Sequence, residues 1–325
     1  CAESDGRRAV SIGIKRSGAM SKIAFIFPGQ GAQVCGMGQD FYEQTETGRK
    51  VFDTASEILG FSMPELCFEK NDRLDITEYT QPAMVTASLA MMKVLMEQTG
   101  IQPDAAAGLS LGEYPAMAAA GVMSAEDAIR TVRERGILMQ EAVPAGIGAM
   151  AAVLAMDAEE IEKVIAPIEG VQIANYNCPG QIVISGKKEA VDEAAEKLKE
   201  AGAKRVIPLN VSGPFHSKML TEAGEKLGKV LDTVEIHKPA IPYAANVTAE
   251  YVTEAEDVKP LLERQVSSSV RWEQTMRMML ADGVDTFIEI GPGKTLAGFM
   301  KKIDRSVRVI NIEKLEDIEK VRELL

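Results

Sequence analysis

Cysteine and histidine are scarce in this sequence of 325 residues, and their placement argues against metal and disulfide frameworks. The four cysteines are Cys1, Cys35, Cys67 and Cys178, and no two of them form a C-x-x-C pair. Neither of the two histidines stands at metal-ligand spacing from a cysteine, so we expect no metal site. Buried free thiols in a reducing compartment are the simpler interpretation.

Positive charge and long apolar runs are also lacking. No apolar stretch approaches the roughly 20 residues that cross a bilayer, and residues 1–20 lack the apolar core of a secretory signal. The formal net charge of −12 argues against a nucleic-acid-binding surface. We therefore expect a cytoplasmic protein that binds neither nucleic acid nor membrane, with residues 1–20 as a disordered leader or tag.

Short apolar strands separated by helical patterns predict an α/β fold. Residues 23–27 form an apolar run that stops at Pro28-Gly29, as a buried strand does before a turn. Similar strand patterns return at residues 241–246 and 284–290, after a long interruption. We predict an α/β-hydrolase-like domain with a parallel sheet, built from residues 21–146 and 214–325.

The interruption, residues 147–213, has the element order of a smaller module. It reads strand, helix, strand, strand, helix, strand, with helices predicted over residues 158–168 and 188–201. That order is typical of a ferredoxin-like α+β module. The cleft between this insert and the larger domain is the expected ligand site.

A candidate nucleophile lies in Gly108-Leu-Ser-Leu-Gly112, which matches the G-x-S-x-G elbow. Glycines on both sides permit a tight strand-to-helix turn, and the helix that follows directs its free N–H groups at the site. Ser110 is therefore the predicted nucleophile. A pattern with three fixed positions also arises by chance, and it does not separate a hydrolase from a transferase.

The serine needs a general base, and the chain offers His216 and His237. His216 lies in Ser212-Gly-Pro-Phe-His-Ser217, a turn at the junction where the insert rejoins the larger domain. His237 precedes a strand and is interpreted as structural. The placement of His216 at a predicted cleft favours it as the base.

Five motifs stand in an order that resembles the malonyl-CoA:acyl carrier protein transacylases, acyltransferases of fatty-acid and polyketide synthesis. The resemblance runs from about Ser21 to the C-terminus. The motifs are Phe27-Pro-Gly-Gln-Gly-Ala-Gln33, Gly108-Leu-Ser-Leu-Gly-Glu-Tyr114, Arg135-Gly-Ile-Leu-Met-Gln140, Gly213-Pro-Phe-His-Ser217 and Glu289-Ile-Gly-Pro-Gly293.

The resemblance implies a ping-pong reaction with no cofactor. Ser110 takes the malonyl group from coenzyme A as an ester, and the phosphopantetheine thiol of acyl carrier protein then removes it. His216 is the implied base, and a carbonyl at Gln265, backbone or amide, replaces the acidic member of a triad. The backbone N–H groups of Gln30 and Leu111 form the implied oxyanion hole.

The resemblance also selects the residues that hold the substrate. Arg135 matches the arginine that binds the free malonyl carboxylate, a role suited to a planar guanidinium. Without the resemblance, Arg130 and Arg133 on the same helix would be equal candidates. Met139 and Phe215 are the other implied pocket residues.

Leu109 departs from the family, which usually has histidine before the nucleophile. That histidine is not the base, so we expect the mechanism to be retained, whereas acyl preference could differ. The function expected from all of these features is malonyl transfer to acyl carrier protein by a monomeric enzyme. The alternatives are a serine hydrolase or thioesterase acting on acyl-CoA, a polyketide acyltransferase with another acyl preference, and a non-catalytic subunit of a larger synthase.

Overall fold

The computed structural model describes residues 15–16 and 19–324. Most of the predicted leader, residues 1–20, lies outside the described residues, and its disorder stays a prediction. Within it, Lys15–Arg16 and Ala19–Met20 pair as a short antiparallel ladder.

Strands and helices alternate along the described chain. The strands are β1 (Lys15–Arg16), β2 (Ala19–Met20), β3 (Lys22–Phe27), β4 (Ala105–Gly108), β5 (Gly148–Leu154), β6 (Val171–Cys178), β7 (Gln181–Lys187), β8 (Arg205–Pro208), β9 (Tyr243–Ala245), β10 (Glu250–Val252), β11 (Val284–Ile290) and β12 (Arg308–Ile312). The α-helices are α1 (Gln39–Gln44), α2 (Glu46–Leu59), α3 (Met63–Phe68), α4 (Thr77–Thr99), α5 (Glu113–Ala119), α6 (Ala125–Glu141), α7 (Ala158–Ile165), α8 (Lys188–Glu200), α9 (Thr221–Leu231), α10 (Ala255–Gln265), α11 (Trp272–Ala281), α12 (Thr295–Ile303) and α13 (Ile318–Arg322).

A six-stranded sheet in the order β10-β9-β4-β3-β11-β12 forms the centre of the larger domain. Neighbouring strands are parallel except at one edge, where β10 runs antiparallel to β9. Alternate residues of β3 enter different cores: Phe25 and Phe27 pack with α4 and α6, and Ala24 and Ile26 pack with α11 and α12. Burial on both faces explains why β3 is continuously apolar. The parallel strands end at one edge, so the loops that follow them meet there.

A four-stranded antiparallel sheet in the order β6-β7-β5-β8 forms the insert, and α7 and α8 pack on it around a separate core. This is the arrangement of a ferredoxin-like module. Helix α7 ends at Ile165 rather than at residue 168, because Pro167 cannot continue the helix. The predicted α/β fold class with an inserted α+β module is confirmed, whereas the domain boundaries stay a prediction.

The insert is joined to the larger domain through β6. The Tyr176 N–H donates to the Val270 carbonyl at 2.9 Å, and the Val270 N–H donates to the Ala174 carbonyl at 2.8 Å. These backbone bonds continue the insert sheet into the loop before α11, which fixes the two walls of the cleft relative to each other.

The fold also bears on membrane-spanning helices and on the burial of the cysteines. No helix in the described ranges is long and apolar enough to cross a membrane. Cys67 and Cys178 are buried free thiols, but Cys35 is exposed because it lies in the turns after β3, so its predicted burial is wrong. Cys1 lies outside the described residues.

Candidate active site

The turn between β4 and α5 holds Ser110 in an unusual backbone conformation. Its φ of 52° lies in the left-handed region, which is uncommon for a residue other than glycine. A Cβ on Gly108 would lie 1.8 Å from the Gly112 carbonyl oxygen, and one on Gly112 would lie 2.2 Å from the Phe27 carbonyl oxygen. Both glycines of the motif are therefore required by close backbone approach, and the turn projects Ser110 into the cleft.

Asn246, which the sequence analysis did not identify, fixes this turn. Its Oδ1 accepts from the Ser110 N–H at 2.6 Å, and its Nδ2 donates to the Gly108 carbonyl at 2.7 Å. Asn246 is fully buried at the end of β9, the neighbour of β4. A polar residue directly after a buried parallel strand is the sequence signal that could have found it.

His216 lies at hydrogen-bond distance from Ser110, the predicted nucleophile. Its Nε2 is 2.7 Å from the Ser110 Oγ. Its Nδ1 is 2.9 Å from the backbone oxygen of Gln265 and 3.2 Å from that of Ser268. Because a carbonyl only accepts, Nδ1 carries the proton and Nε2 is free to accept the serine hydroxyl proton.

The charge state of His216 suits a general base. Burial, and then the positive charge of Arg135, lower the pKa of His216 to about 4, although the hydrogen bonds to the Gln265 and Ser268 carbonyls oppose the shift. The imidazole is therefore neutral near pH 7. His237 does not contact this site: its side chain is exposed, with Glu235 as its neighbour.

Gln172 of the insert positions the histidine segment. Its Nε2 donates to the His216 carbonyl at 3.1 Å, and its Oε1 accepts from the Lys218 N–H at 2.9 Å. The insert thus holds the backbone at His216 and just after it, and the φ of 57° at His216 is also left-handed. Sequence analysis gave no sign of this contact, because glutamine on a strand has many ordinary roles.

Gln265 contributes through two different groups. The structure places its backbone carbonyl, not its amide, at the imidazole. The side chain turns away: Oε1 accepts from Arg135 Nη2 at 3.0 Å, and Nε2 donates to the Ser110 carbonyl at 3.0 Å and to Glu113 Oε2 at 2.6 Å.

Arg135 is a buried cation beside the nucleophile. It is 1% exposed, and its Nη2 donates to Ser110 Oγ at 3.1 Å while its Nη1 donates to Gln81 Oε1 at 2.9 Å. No carboxylate of the described residues forms an ion pair with it, and burial lowers its pKa. By contrast, Arg130 pairs with Asp127 on the surface, and Arg133 pairs with Glu78.

Two backbone N–H groups lie on the turns that flank Ser110. Leu111 follows the serine, and Gln30 lies in the turn after β3. That turn packs on the elbow so closely that a Cβ on Gly29 would be 2.6 Å from the Leu109 carbonyl oxygen. Within the described part of the chain, neither N–H donates a hydrogen bond. The side chain of Gln30 is occupied elsewhere, donating to Thr77 Oγ1 at 3.0 Å.

Met139 and Phe215 are both buried in the core beside Arg135. Gln81, another residue that sequence analysis missed, links Met139 to the cation: its Nε2 contacts Met139 Sδ at 3.5 Å while its Oε1 accepts from Arg135. Helix α4 therefore holds one side of the guanidinium, and Gln265 holds the other.

Comparison with known proteins connects this geometry to a family. A family model described as the acyl transferase domain matches residues 24–319. The malonyl CoA-acyl carrier protein transacylase of Bacillus subtilis is 50% identical over 305 residues, covering 92% of this chain and 96% of that protein. The chain belongs to the malonyl CoA-acyl carrier protein transacylases, an acyl transferase family. The family predicted from the five motifs is confirmed.

Solved structures of this family have the same fold. The malonyl CoA-acyl carrier protein transacylase from Clostridium perfringens matches with a TM-score of 0.90 at 44% identity, over 93% of this chain and 96% of that one. A malonyl-transacylase solved in complex with its type II PKS acyl-carrier protein matches with a TM-score of 0.90 at 38% identity. The match covers 93% of this chain and 99% of that one.

Leu109, the departure from the usual family pattern, points away from the base. Its half-buried side chain packs on the core formed by α11 and α12, on the opposite face of the sheet from the core that holds Met139 and Phe215. An apolar side chain suits that core.

Proposed function

We propose that this chain transfers a malonyl group from malonyl-CoA to the phosphopantetheine thiol of acyl carrier protein through an ester on Ser110. One observation carries the proposal: the Ser110 oxygen lies between a neutral buried imidazole and a buried guanidinium that forms no ion pair with any carboxylate of the described residues. The first activates the oxygen, and the second offers a binding group for an acyl chain that ends in a carboxylate.

In the first half-reaction, His216 Nε2 accepts the hydroxyl proton as Ser110 Oγ attacks the thioester carbonyl. The N–H groups of Leu111 and Gln30 donate to the oxyanion, a contribution of about 2.7–4 kcal/mol per donor in comparable enzymes. The tetrahedral intermediate then breaks its C–S bond, and the imidazolium returns the proton to coenzyme A. The malonyl ester of Ser110 remains.

In the second half-reaction, the carrier thiol gives its proton to His216 and attacks the same ester carbonyl. The C–O bond to Ser110 breaks, and the imidazolium reprotonates Oγ. The malonyl group leaves as a thioester of the carrier, and the enzyme returns to its first state.

Arg135 selects the acyl group. A guanidinium grips a carboxylate through two parallel hydrogen bonds, each of which is strengthened by charge. Since Arg135 Nη2 already reaches Oγ, a short acyl chain on that oxygen brings its terminal carboxylate within reach of the guanidinium. Met139 and Phe215 supply the apolar wall behind it.

The pairing of His216 with a backbone carbonyl favours transfer over hydrolysis. A carbonyl stabilises the imidazolium less than a carboxylate does, so the base is weak. A thiol, with a pKa near 8.5, yields its proton to a weak base far more readily than water does. This supports the transferase over the hydrolase alternative, and the presence of Ser110 and His216 argues against a non-catalytic subunit.

Malonyl-CoA and acyl carrier protein are the proposed partners, because the relatives are named for both. A carrier of polyketide synthesis remains the alternative partner, since one related structure holds a type II PKS acyl-carrier protein. We also infer a cytoplasmic monomer that binds neither nucleic acid nor membrane. The net charge of −12 supports the absence of nucleic-acid binding.

The release of free coenzyme A from malonyl-CoA, with and without phosphopantetheinylated carrier protein, tests this function. We expect one burst of release without the carrier and continuous release with it. Equal continuous release in both reactions would identify a hydrolase. A fatty-acid and a polyketide carrier in parallel reactions distinguish the two pathways.

A further inference from the structure

Directly after the elbow, Glu113 is a buried carboxylate that the reaction above does not use. It is 1% exposed, and no cation of the described residues forms an ion pair with it. Its Oε2 accepts from Gln265 Nε2 at 2.6 Å and from the Asn246 N–H at 3.2 Å. Both donors belong to residues that fix the active site, since Asn246 holds the elbow and Gln265 holds Arg135.

The carboxylate determines which way the Gln265 amide points. The amide Nε2 faces two accepting oxygens, the Ser110 carbonyl and Glu113 Oε2. Since Oε2 also accepts from the Asn246 N–H, it is the oxygen without a proton even when the carboxyl group is neutral. The opposite end, Oε1, therefore faces Arg135 Nη2, which only donates. A flipped amide would place its NH₂ against the guanidinium and its oxygen against the carboxylate, and would lose all three hydrogen bonds.

The same arrangement leaves donors of the Arg135 guanidinium available to bind a substrate carboxylate. A direct ion pair between Glu113 and Arg135 would occupy the donors that a substrate carboxylate needs. With the Gln265 amide between them, the Glu113 carboxyl group stays apart from the guanidinium, and the Nη2 group still reaches Ser110 Oγ at 3.1 Å.

We propose that Glu113 is a positioning residue that, through the Gln265 amide, orients the Arg135 guanidinium for the carboxylate of the incoming acyl group. This inference rests on the proposed function, because it concerns how that function selects an anionic acyl chain.

Steady-state kinetics of Glu113→Gln test the proposal, with Glu289→Gln as the matched control. Glu289 is also a fully buried carboxylate that accepts hydrogen bonds, from the Leu296 and Ala297 N–H groups at the start of α12, and it touches none of the site residues. We expect Glu113→Gln to raise KM for malonyl-CoA about ten-fold, with kcat within about three-fold. Loading of acetyl-CoA, which has no carboxylate, should keep its rate. Glu289→Gln should leave both unchanged.

A second variant tests the route through the amide. Gln265→Leu keeps the backbone carbonyl at His216 but removes the link, so it should raise KM for malonyl-CoA as Glu113→Gln does. The amide introduced by Glu113→Gln can present either its oxygen or its NH₂ to Gln265, so it no longer fixes the orientation of that side chain. The double variant should be no worse than the worse single one, because both changes act through the Gln265 amide. KM effects that multiply in the double variant would overturn this route.

Two other results would overturn the proposal: an unchanged KM in Glu113→Gln, or an equal loss of malonyl and acetyl loading. Wild-type protein in the same assay separates the inference from the function on which it rests. A wild type that accepts no malonyl group contradicts the proposed function, whereas a wild type that does, with an unaffected Glu113→Gln, contradicts the inference alone.

Discussion

At Ser110, a base and a cation share one oxygen. The hydroxyl donates to His216 Nε2 and accepts from Arg135 Nη2, so the proton is directed to the base while the guanidinium lies beside the oxygen that would carry the acyl group. The imidazole and the guanidinium do not repel each other, because burial keeps the imidazole neutral.

Arg135→Ala should change which acyl group is loaded. Losing a bidentate, charge-assisted contact lowers kcat/KM for malonyl-CoA by roughly 10²-fold or more, while acetyl-CoA loading is retained or improved. Intact-protein mass spectrometry after each thioester measures both. Arg130→Ala, on the exposed face of the same helix, is the control. Retained preference for malonyl in Arg135→Ala would remove Arg135 from the site.

His216→Ala should slow acylation of Ser110 by roughly 10²–10⁴-fold, the usual contribution of a general base. Rapid-quench measurement of coenzyme A release in one turnover reports this step. His237→Ala should have the wild-type rate, because its imidazole lies on the surface. A normal rate in His216→Ala would transfer the base role to another group.

The residues that touch the serine differ in how far sequence could predict them. Ser110 and His216 have recognisable local patterns, and Arg135 could be separated from Arg130 and Arg133 only through the family motif. Asn246, Gln81 and Gln172 act through side-chain contacts that span 136, 54 and 44 positions of the sequence, and no local pattern encodes such contacts. The division of Gln265 between backbone and amide depends on the exact position of one helix end.

At the scale of elements, the strand-to-helix elbow depends on two glycines that tolerate no side chain. Gly112→Ala places a methyl group 2.2 Å from the Phe27 carbonyl, so either β3 or the elbow must move. Since a shift of about 1 Å at a reacting group lowers rates about 10²-fold, we expect at least that loss in kcat/KM, together with a lower melting temperature.

Gly298→Ala is the control for that substitution. Gly298 lies inside α12 with open space around its Cα, so alanine should stabilise the protein by about 0.5–1 kcal/mol and leave activity unchanged. Normal activity in Gly112→Ala would mean that the elbow is not constrained as described.

The order of the secondary-structure elements was easier to predict from the sequence than the residues at which each element ends. The order of strands and helices in residues 147–213 follows from periodicity, because each element must bury one face in the insert core. The end of α7 is set by Pro167, a signal that was present in the sequence but not used. The order of strands in each sheet is a long-range property that no local pattern in the sequence encodes.

At the scale of the whole molecule, two buried carboxyl groups should make stability depend on pH. Burial raises the pKa of Glu113 and of Glu289 to about 7. A raised folded-state pKa means that the folded protein binds more protons than the unfolded chain, so stability falls as the pH rises through 7. His216, whose pKa is lowered to about 4 from an unfolded value of 6.5, acts in the opposite direction and offsets part of the carboxyl effect near pH 6.5.

The melting temperature should therefore rise as the pH is lowered from 8 to 6.5, because the two carboxyl groups outweigh the opposing effect of one imidazole. Glu289→Gln should reduce that slope, since the amide does not titrate. Scanning calorimetry of both proteins across this range measures the difference. Identical slopes would show that Glu289 is not a buried titrating group.

The account as a whole depends on Ser110 carrying a malonyl group between two thiols. The most direct measurement is peptide mapping by mass spectrometry after brief exposure to malonyl-CoA, followed by addition of phosphopantetheinylated carrier protein, with Ser110→Ala as control. The account predicts a malonyl adduct on the peptide containing Ser110 that disappears as the carrier becomes malonylated. No adduct on that peptide, or an adduct lost to water at the same rate without the carrier, would contradict it.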